Sequence, residues 1–323
     1  MNTGLKITAF AAALAATFGT AYGVGKGVDP VVGGEQTAAH DEHGEARTSE
    51  TGEGGGHGGH QTAPAGGLQV SEGGYTLALE TSRITAGNGT KLRFSVQDEN
   101  GRKITAFERE HGKELHFIVA SRDLTAYRHL HPTRAADGTW STSADLPTAG
   151  AYRAFADFKP AAKDAEGVTL GADLAVSGTY APAKMPAPAG TAKVDGYEVT
   201  LNGGLRPGKS GELSLEVAKN GKPVTNLQPY LGAYGHLVAL RSGDLAYLHV
   251  HPNGEPGDGS TKPGPQISFT ATAPSSGSYR LFLDFQHEGK VRTAAFTVEA
   301  GKATVSAEPS PDKDPEESPS HKH

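Results

Sequence analysis

Leu115 to Pro132 reads LHFIVASRDLTAYRHLHP, and Gly235 to Pro252 reads GHLVALRSGDLAYLHVHP. The second stretch is a copy of the first. His116, His129 and His131 recur as His236, His249 and His251, each displaced by 120 residues. A chain that carries one histidine pattern twice is organised as a tandem repeat, and the pattern marks where its chemistry sits.

Each stretch has two runs of alternating, β-branched and aromatic residues around a short polar centre, Arg122-Asp123 or Ser242-Gly243, which predicts a β-hairpin. With those pairs as two-residue turns, His116 lies opposite His129 and Ile118 opposite Tyr127. In the second copy His236 lies opposite His249 and Val238 opposite Tyr247. Strand side chains alternate faces, so the three histidines of a copy project from one face. Opposed Cβ atoms are about 5 Å apart and diagonal ones about 7 to 8 Å, within reach of one Zn- or Cu-sized ion. A lone strand histidine is more often a surface or hydrogen-bonded residue; three on one face, repeated, point to a metal site.

The 323 residues suit two domains. Forty-four glycines and 20 prolines, with 36% hydrophobic residues, favour short strands and many turns over long helices. The net charge of −6, without a basic block, gives no reason to expect nucleic acid as a partner. The absence of cysteine excludes disulfides, thiolate sites and a lipoprotein anchor. Methionine occurs only at Met1 and Met185, which removes soft ligands for Cu(I) and leaves imidazole and carboxylate, suited to Cu(II) or Zn(II).

Residues 1–25, with Lys6 before the Ala-rich run ITAFAAALAATFGTAYGVG, read as a signal peptide or an N-terminal membrane anchor. Either places the remainder outside the cell membrane, secreted or anchored, with membrane contact only through this segment. Residues 26–67 are low in complexity and expected to be disordered. His40, His43, His57 and His60 there are weak metal collectors or incidental spacer residues. The tail 301–323, ending in His321 and His323, is expected to resemble it.

Between the tails lie repeats at 68–180 and 191–300, joined by the Pro-rich linker 181–190, APAKMPAPAG. YTLAL aligns with YEVTL, and LPTAGAYRAFADF (146–158) with APSSGSYRLFLDF (273–285). The last block is offset by 127 instead of 120, so repeat 2 has seven extra residues beside His251, within NGEPGDGSTKPGP. Many short strands and turns such as ENGR, KNGK and HEGK predict an all-β chain of two immunoglobulin-like antiparallel sandwiches. Tyr152 and Tyr279, in Pro-x-x-Gly-x-Tyr blocks, fit a structural tyrosine corner. Trp140, Ile267, Phe155 and Phe282 fit core strands. Asp157 and Asp284, on strands leaning towards burial, are candidate fourth ligands or acceptors that orient a histidine, with a surface salt bridge as the alternative. His287, matched by Pro160 in repeat 1, is accessory.

The histidine hairpin, the Gly-x-Tyr strand and its Asp-Phe ending resemble the extracytoplasmic immunoglobulin-like copper and heavy-metal binding proteins of the YtkA-like and CopC-like groups. The CopC-like resemblance implies a Cu(II)-type site of histidines and an aspartate, carried here onto His116, His129, His131, Asp157 and their copies. The chain departs from that pattern in its long leader and lack of a methionine cluster. LHVHPNGEPGD is superficially similar to a copper-zinc superoxide dismutase strand, but the further histidines and cysteine pair of that enzyme are missing.

No Gly-x-Ser-x-Gly, His-Glu-x-x-His, cysteine nucleophile or phosphate loop is present, so the expected role is not enzymatic. The reading is an exported protein that buffers, delivers or senses copper or zinc, one ion per repeat at independent sites. Its expected partners are divalent ions and another extracytoplasmic metal-handling protein. The alternatives are a structural or partner-binding tandem without metal, and a small metalloenzyme.

Overall fold

A computed structural model describes residues 65–248 and 250–302. The signal or anchor reading of 1–25, the histidines at 40, 43, 57, 60, 321 and 323, and His249 lie outside the described residues. Both repeats belong to one compact unit, Gly59–His323.

The described residues form strands and no helix. Repeat 1 contains β1 Ser71–Glu72, β2 Tyr75–Leu79, β3 Arg83–Thr85, β4 Gly87–Gln97, β5 His116–Ser121, β6 Tyr127–Leu130, β7 Thr133–Arg134, β8 Trp140–Leu146, β9 Gly150–Phe158 and β10 Val168–Ser177. Repeat 2 contains β11 Thr191–Val194, β12 Tyr197–Gly203, β13 Ser210–Lys219, β14 Lys222–Pro223, β15 His236–Arg241, β16 Tyr247–Leu248, β17 Val250–Pro252, β18 Gln266–Thr272, β19 Gly277–His287 and β20 Lys290–Ala300. In repeat 1 the sheet β1-β2-β4-β8-β7 faces β3-β10-β9-β5-β6; in repeat 2 the sheet β11-β12-β13-β18-β17, with β14 on β13, faces β16-β15-β19-β20. Pairing is antiparallel except where β3 runs parallel to β10.

The local sequence explains these elements. Asn220-Gly221 and Glu288-Gly289 both take positive φ, as two-residue hairpin turns require, and the latter reverses β19 into β20. The tyrosine corners form in both repeats: Tyr152 Oη donates to Thr148 O at 2.8 Å and Tyr279 Oη to Ser275 O at 2.8 Å.

The hairpin turns differ from expectation. Neither Arg122-Asp123 nor Ser242-Gly243 supplies the two left-handed residues of a tight turn. Both copies instead use four-residue loops, closed by Ser121 N to Ala126 O and Arg241 N to Ala246 O, each at 2.9 Å. Asp123 Oδ1 accepts from Ser121 Oγ, Thr125 N and Thr125 Oγ1. Ile118 therefore pairs with His129, and Ala120 with Tyr127. In repeat 2 Leu240 pairs with Tyr247. The partner positions shift by two, and a two-residue shift leaves every side chain on its face.

Each sandwich encloses its own core, with Phe94 stacked on Phe117 at 4.1 Å in repeat 1 and Phe269, Leu281 and Phe285 in repeat 2. A third cluster lies between the sandwiches, built of Ile118, Ala120, Leu124, Tyr127 and Phe155 with Val238, Leu240, Leu245, Tyr247 and Phe282. Phe155 and Phe282 thus face the other repeat, not the interior of their own. Leu124 and Leu245 hold φ of 57° and 63°, unusual for leucine, and their side chains are buried in this cluster.

The contacts are reciprocal. Tyr127 stacks on Phe282 with ring centres 3.9 Å apart, and Tyr247 meets Phe155 at 5.8 Å. The two pairs are exchanged by the alignment of the repeats, the mark of an isologous, twofold-like interface. Residues 65–67, placed by sequence in the disordered leader, reinforce it. Gly66 and Tyr247 exchange backbone bonds at 3.1 and 2.9 Å, Gly67 N donates to Thr169 O, and Arg153 Nε donates to Gly67 O. The linker does not hold the repeats apart, since Met185 packs against the shared cluster.

Candidate metal centre

His116 opens β5 and His129 lies on β6, both on the face turned to the other repeat. His131 follows one residue after β6. Their ligand nitrogens all lie within 4.8 Å of one another. Ring centres are 5.3 Å apart for His116–His129, 5.8 Å for His116–His131 and 4.9 Å for His129–His131. His236, which opens β15, stacks over His116 at 5.2 Å with 12° between planes and lies 4.8 Å from His129.

The carboxylate arrives from across the interface. His129 Nδ1 donates to Asp284 Oδ2 at 2.8 Å, with both side chains 3% exposed. Asp284 Oδ1 accepts from Thr293 Oγ1 at 2.5 Å. This fixes a proton on His129 Nδ1 and directs Nε2 into the cluster, the arrangement by which a carboxylate orients a metal-binding imidazole. Nε2 lies 3.1 Å from His116 Nδ1. His116 Nε2 lies 3.4 Å from Glu110 O. A neutral His116 has one proton to share between these two neighbours.

Burial disfavours the charged form of His116, His131 and His236. Burial, followed by repulsion from His129 and His131, pushes His116 down to about 3. Burial and then His129 bring His131 to about 4. Burial also holds His236 well below its ordinary value. Nε2 of His131 and Nε2 of His236 are buried with no hydrogen-bond partner among the described residues. Buried polar atoms are normally paired, so such a donor set fits a metal ion.

Of the described histidines of the second set, His236 joins this cluster and His251 does not. His251 is exposed on β17, which has left the hairpin sheet and pairs with β18, His251 opposite Thr270. Asp157 Oδ1 accepts from Thr169 Oγ1 at 2.7 Å. The expectation of two independent centres is corrected by Asp284, which serves a histidine of the other repeat. His287 is a structural residue, between Tyr197 Oη at 2.7 Å and Asn226 Oδ1 at 3.0 Å.

Two neighbours carried no sequence signal as site residues. His111 and Gly112, with φ of 52° and 76°, form the turn whose ends, Glu110 and Lys113, exchange backbone bonds. This turn sets the His111 ring 6.2 Å from His116 and 6.0 Å from His236. It abuts the equivalent turn of repeat 2: a Cβ on Gly232 would lie 3.5 Å from His111 Cα. Tyr230, from that second turn, lies 6.0 Å from His131.

Residues 69–170 and 192–302 each match a family described as a domain of unknown function (DUF8832). The chain belongs to the DUF8832 family. The matched segments are the two sandwiches, so the DUF8832 unit is one repeat. No curated protein matches the chain. Solved structures similar to it include the Escherichia coli adhesin FdeC, at 14% identity and TM-score 0.22, covering 72% of this chain and 65% of that one. A Salmonella alpha-2-macroglobulin is 11% identical at TM-score 0.25, covering 73% and 15%. Yersinia pseudotuberculosis InvD is 15% identical at TM-score 0.21, covering 71% and 58%. The chain spans less than two thirds of each, and likenesses at these TM-scores carry no argument about the DUF8832 site.

Proposed function

We propose that this protein is an exported metal-binding protein that takes up Zn(II) or Cu(II) at His116, His129 and His131, with Asp284 orienting His129, and so buffers, delivers or senses the ion. The observation that carries the reading is the convergence of three imidazoles, one fixed by a buried carboxylate and one with a buried Nε2 that no described residue satisfies. Four-coordinate Zn places imidazole nitrogens at about 2.0–2.1 Å, hence about 3.4 Å from one another, so closing the cluster takes shifts of roughly 1 Å. Export is proposed from the Ala-rich leader, and the similarity to YtkA-like and CopC-like proteins belongs to the same reading. Among the described residues no helix is long and apolar enough to cross a membrane.

The second reading is a partner-binding tandem of immunoglobulin-like domains without metal, adhesive or structural. It is favoured by the position of the same histidines and Asp284, which would also serve as polar contacts sealing an interface. Titration of the full chain with Zn(II) and Cu(II) separates the two. Stoichiometric uptake, lost in the His129→Ala/His131→Ala variant, supports the first. A wild-type chain that takes up neither ion leaves the second.

A further inference from the structure

The three-histidine set is drawn from one repeat, yet Asp284, His236 and Tyr230 beside it belong to the other. We propose that His236 supplies the fourth imidazole, so that the ion is bound between the sandwiches and acts as a clasp across their interface. This inference rests on the metal-binding reading and adds to it the ligand that closes the site.

Spacing supports the assignment. A tetrahedral ion holding imidazoles at about 2.0–2.1 Å, with each ring centre about 1.1 Å beyond its nitrogen, spaces those centres about 5 Å apart. His236 stands 5.2 Å from His116 and 4.8 Å from His129, alongside spacings of 4.9 to 5.8 Å within the first three rings. Backbone position and χ1 set a ring centre, whereas χ2 sets its plane. The near-parallel planes of His116 and His236 therefore require one ring to turn about χ2 before both lone pairs meet one ion. His236 has a reason to turn, because its Nε2 is buried without a partner among the described residues.

The rest of the interface makes the ion's binding depend on docking. Asp284 crosses from repeat 2 to His129, Tyr127 stacks on Phe282, and Gly66 pairs with Tyr247. An ion ligated by both repeats favours the docked arrangement by the same free energy with which docking favours the ion. The ligand class is a divalent ion that accepts four neutral nitrogens, Zn(II) or a Co(II) surrogate.

The test uses the full chain, treated with chelator and titrated with Co(II), whose visible absorption is strong in tetrahedral sites. Wild type should bind one ion tightly with a tetrahedral spectrum. His236→Ala should still bind it, but at least 10-fold more weakly and with a weakened visible band, and free imidazole should restore the band. Co(II) should also slow proteolysis of the linker 181–190 in wild type and not in the variant. Should His236→Ala melt at lower temperature when metal-free, His236→Gln decides, with the same spectral loss expected. A wild type that binds no Co(II), or binding that survives His129→Ala/His131→Ala, refutes the metal site itself. Normal wild-type binding with unchanged affinity and spectrum in both His236 variants overturns the clasp alone.

Discussion

Acid should destabilise the metal-free protein, and His116 sets a minimum size for the effect. Its imidazole is buried, at 4% exposure, and pushed down to about 3. The unfolded chain has an ordinary histidine at about 6.5. Above pH 6.5 both states are neutral and the group contributes nothing to the pH dependence. As pH falls below 6.5 the unfolded state takes up a proton that the folded state refuses, so stability is lost until the folded value is reached. The slope is about 1.4 kcal/mol per pH unit, and from pH 7.5 to 5 His116 alone costs about 2 kcal/mol. His236 acts in the same direction, and so does His131, with a smaller share because it is partly open to solvent. Urea unfolding of the chelator-treated chain at pH 7.5 and pH 5 measures the sum, and His116→Gln should show the shallower slope. Equal stability at the two pH values, or a variant with the wild-type slope, would refute the assignment of a buried neutral histidine.

Asp284→Asn should lower Zn(II) affinity about 10- to 100-fold, measured by competition with a chromophoric chelator, because the group orienting His129 loses its charge. Tyr127→Ala removes a ring stacked on Phe282 and should cost about 3–5 kcal/mol in urea unfolding. Tyr279→Phe deletes the bond to Ser275 O and the longer contact with Ser275 Oγ; about 1 kcal/mol of stability should go, with metal affinity unchanged.

The sandwiches were legible because their signals are local. Alternation, Asn-Gly and Glu-Gly turns and the two Pro-x-x-Gly-x-Tyr blocks each specify structure within a few residues. The shared face of His116, His129 and His131 was legible too, and survived a wrong turn register because the shift was two residues, not one. The interface was not found, although a trace of it was present. HFIVAS has four consecutive apolar residues, and all six residues are buried. A strand with one solvated face would alternate, whereas HFIVAS and HLVALR read as strands covered on both sides. No periodicity names what covers the second face, so Asp284 reaching His129 and His111 entering from a turn could only come from tertiary structure.

The fused repeat also explains why the centre is lopsided. An isologous interface between identical chains must present the same residues from both sides, whereas one chain carrying both copies is free to let them diverge around the axis. Here divergence lies close to the centre. His111 faces the cluster where the second copy has Leu231, and Glu110 and Lys113 correspond to Tyr230 and Ala233. The seven extra residues of repeat 2 follow β17, which pairs with β18 from Val250 onward and takes His251 to the opposite sheet. In repeat 1 the crossing to β8 begins only at Thr133, after His131 has been delivered to the cluster. A three-residue difference in where the strand changes sheets thus decides whether the third histidine reaches the centre. The first repeat supplies the converging imidazoles, and the second supplies the carboxylate that orients one of them and the ring that covers another.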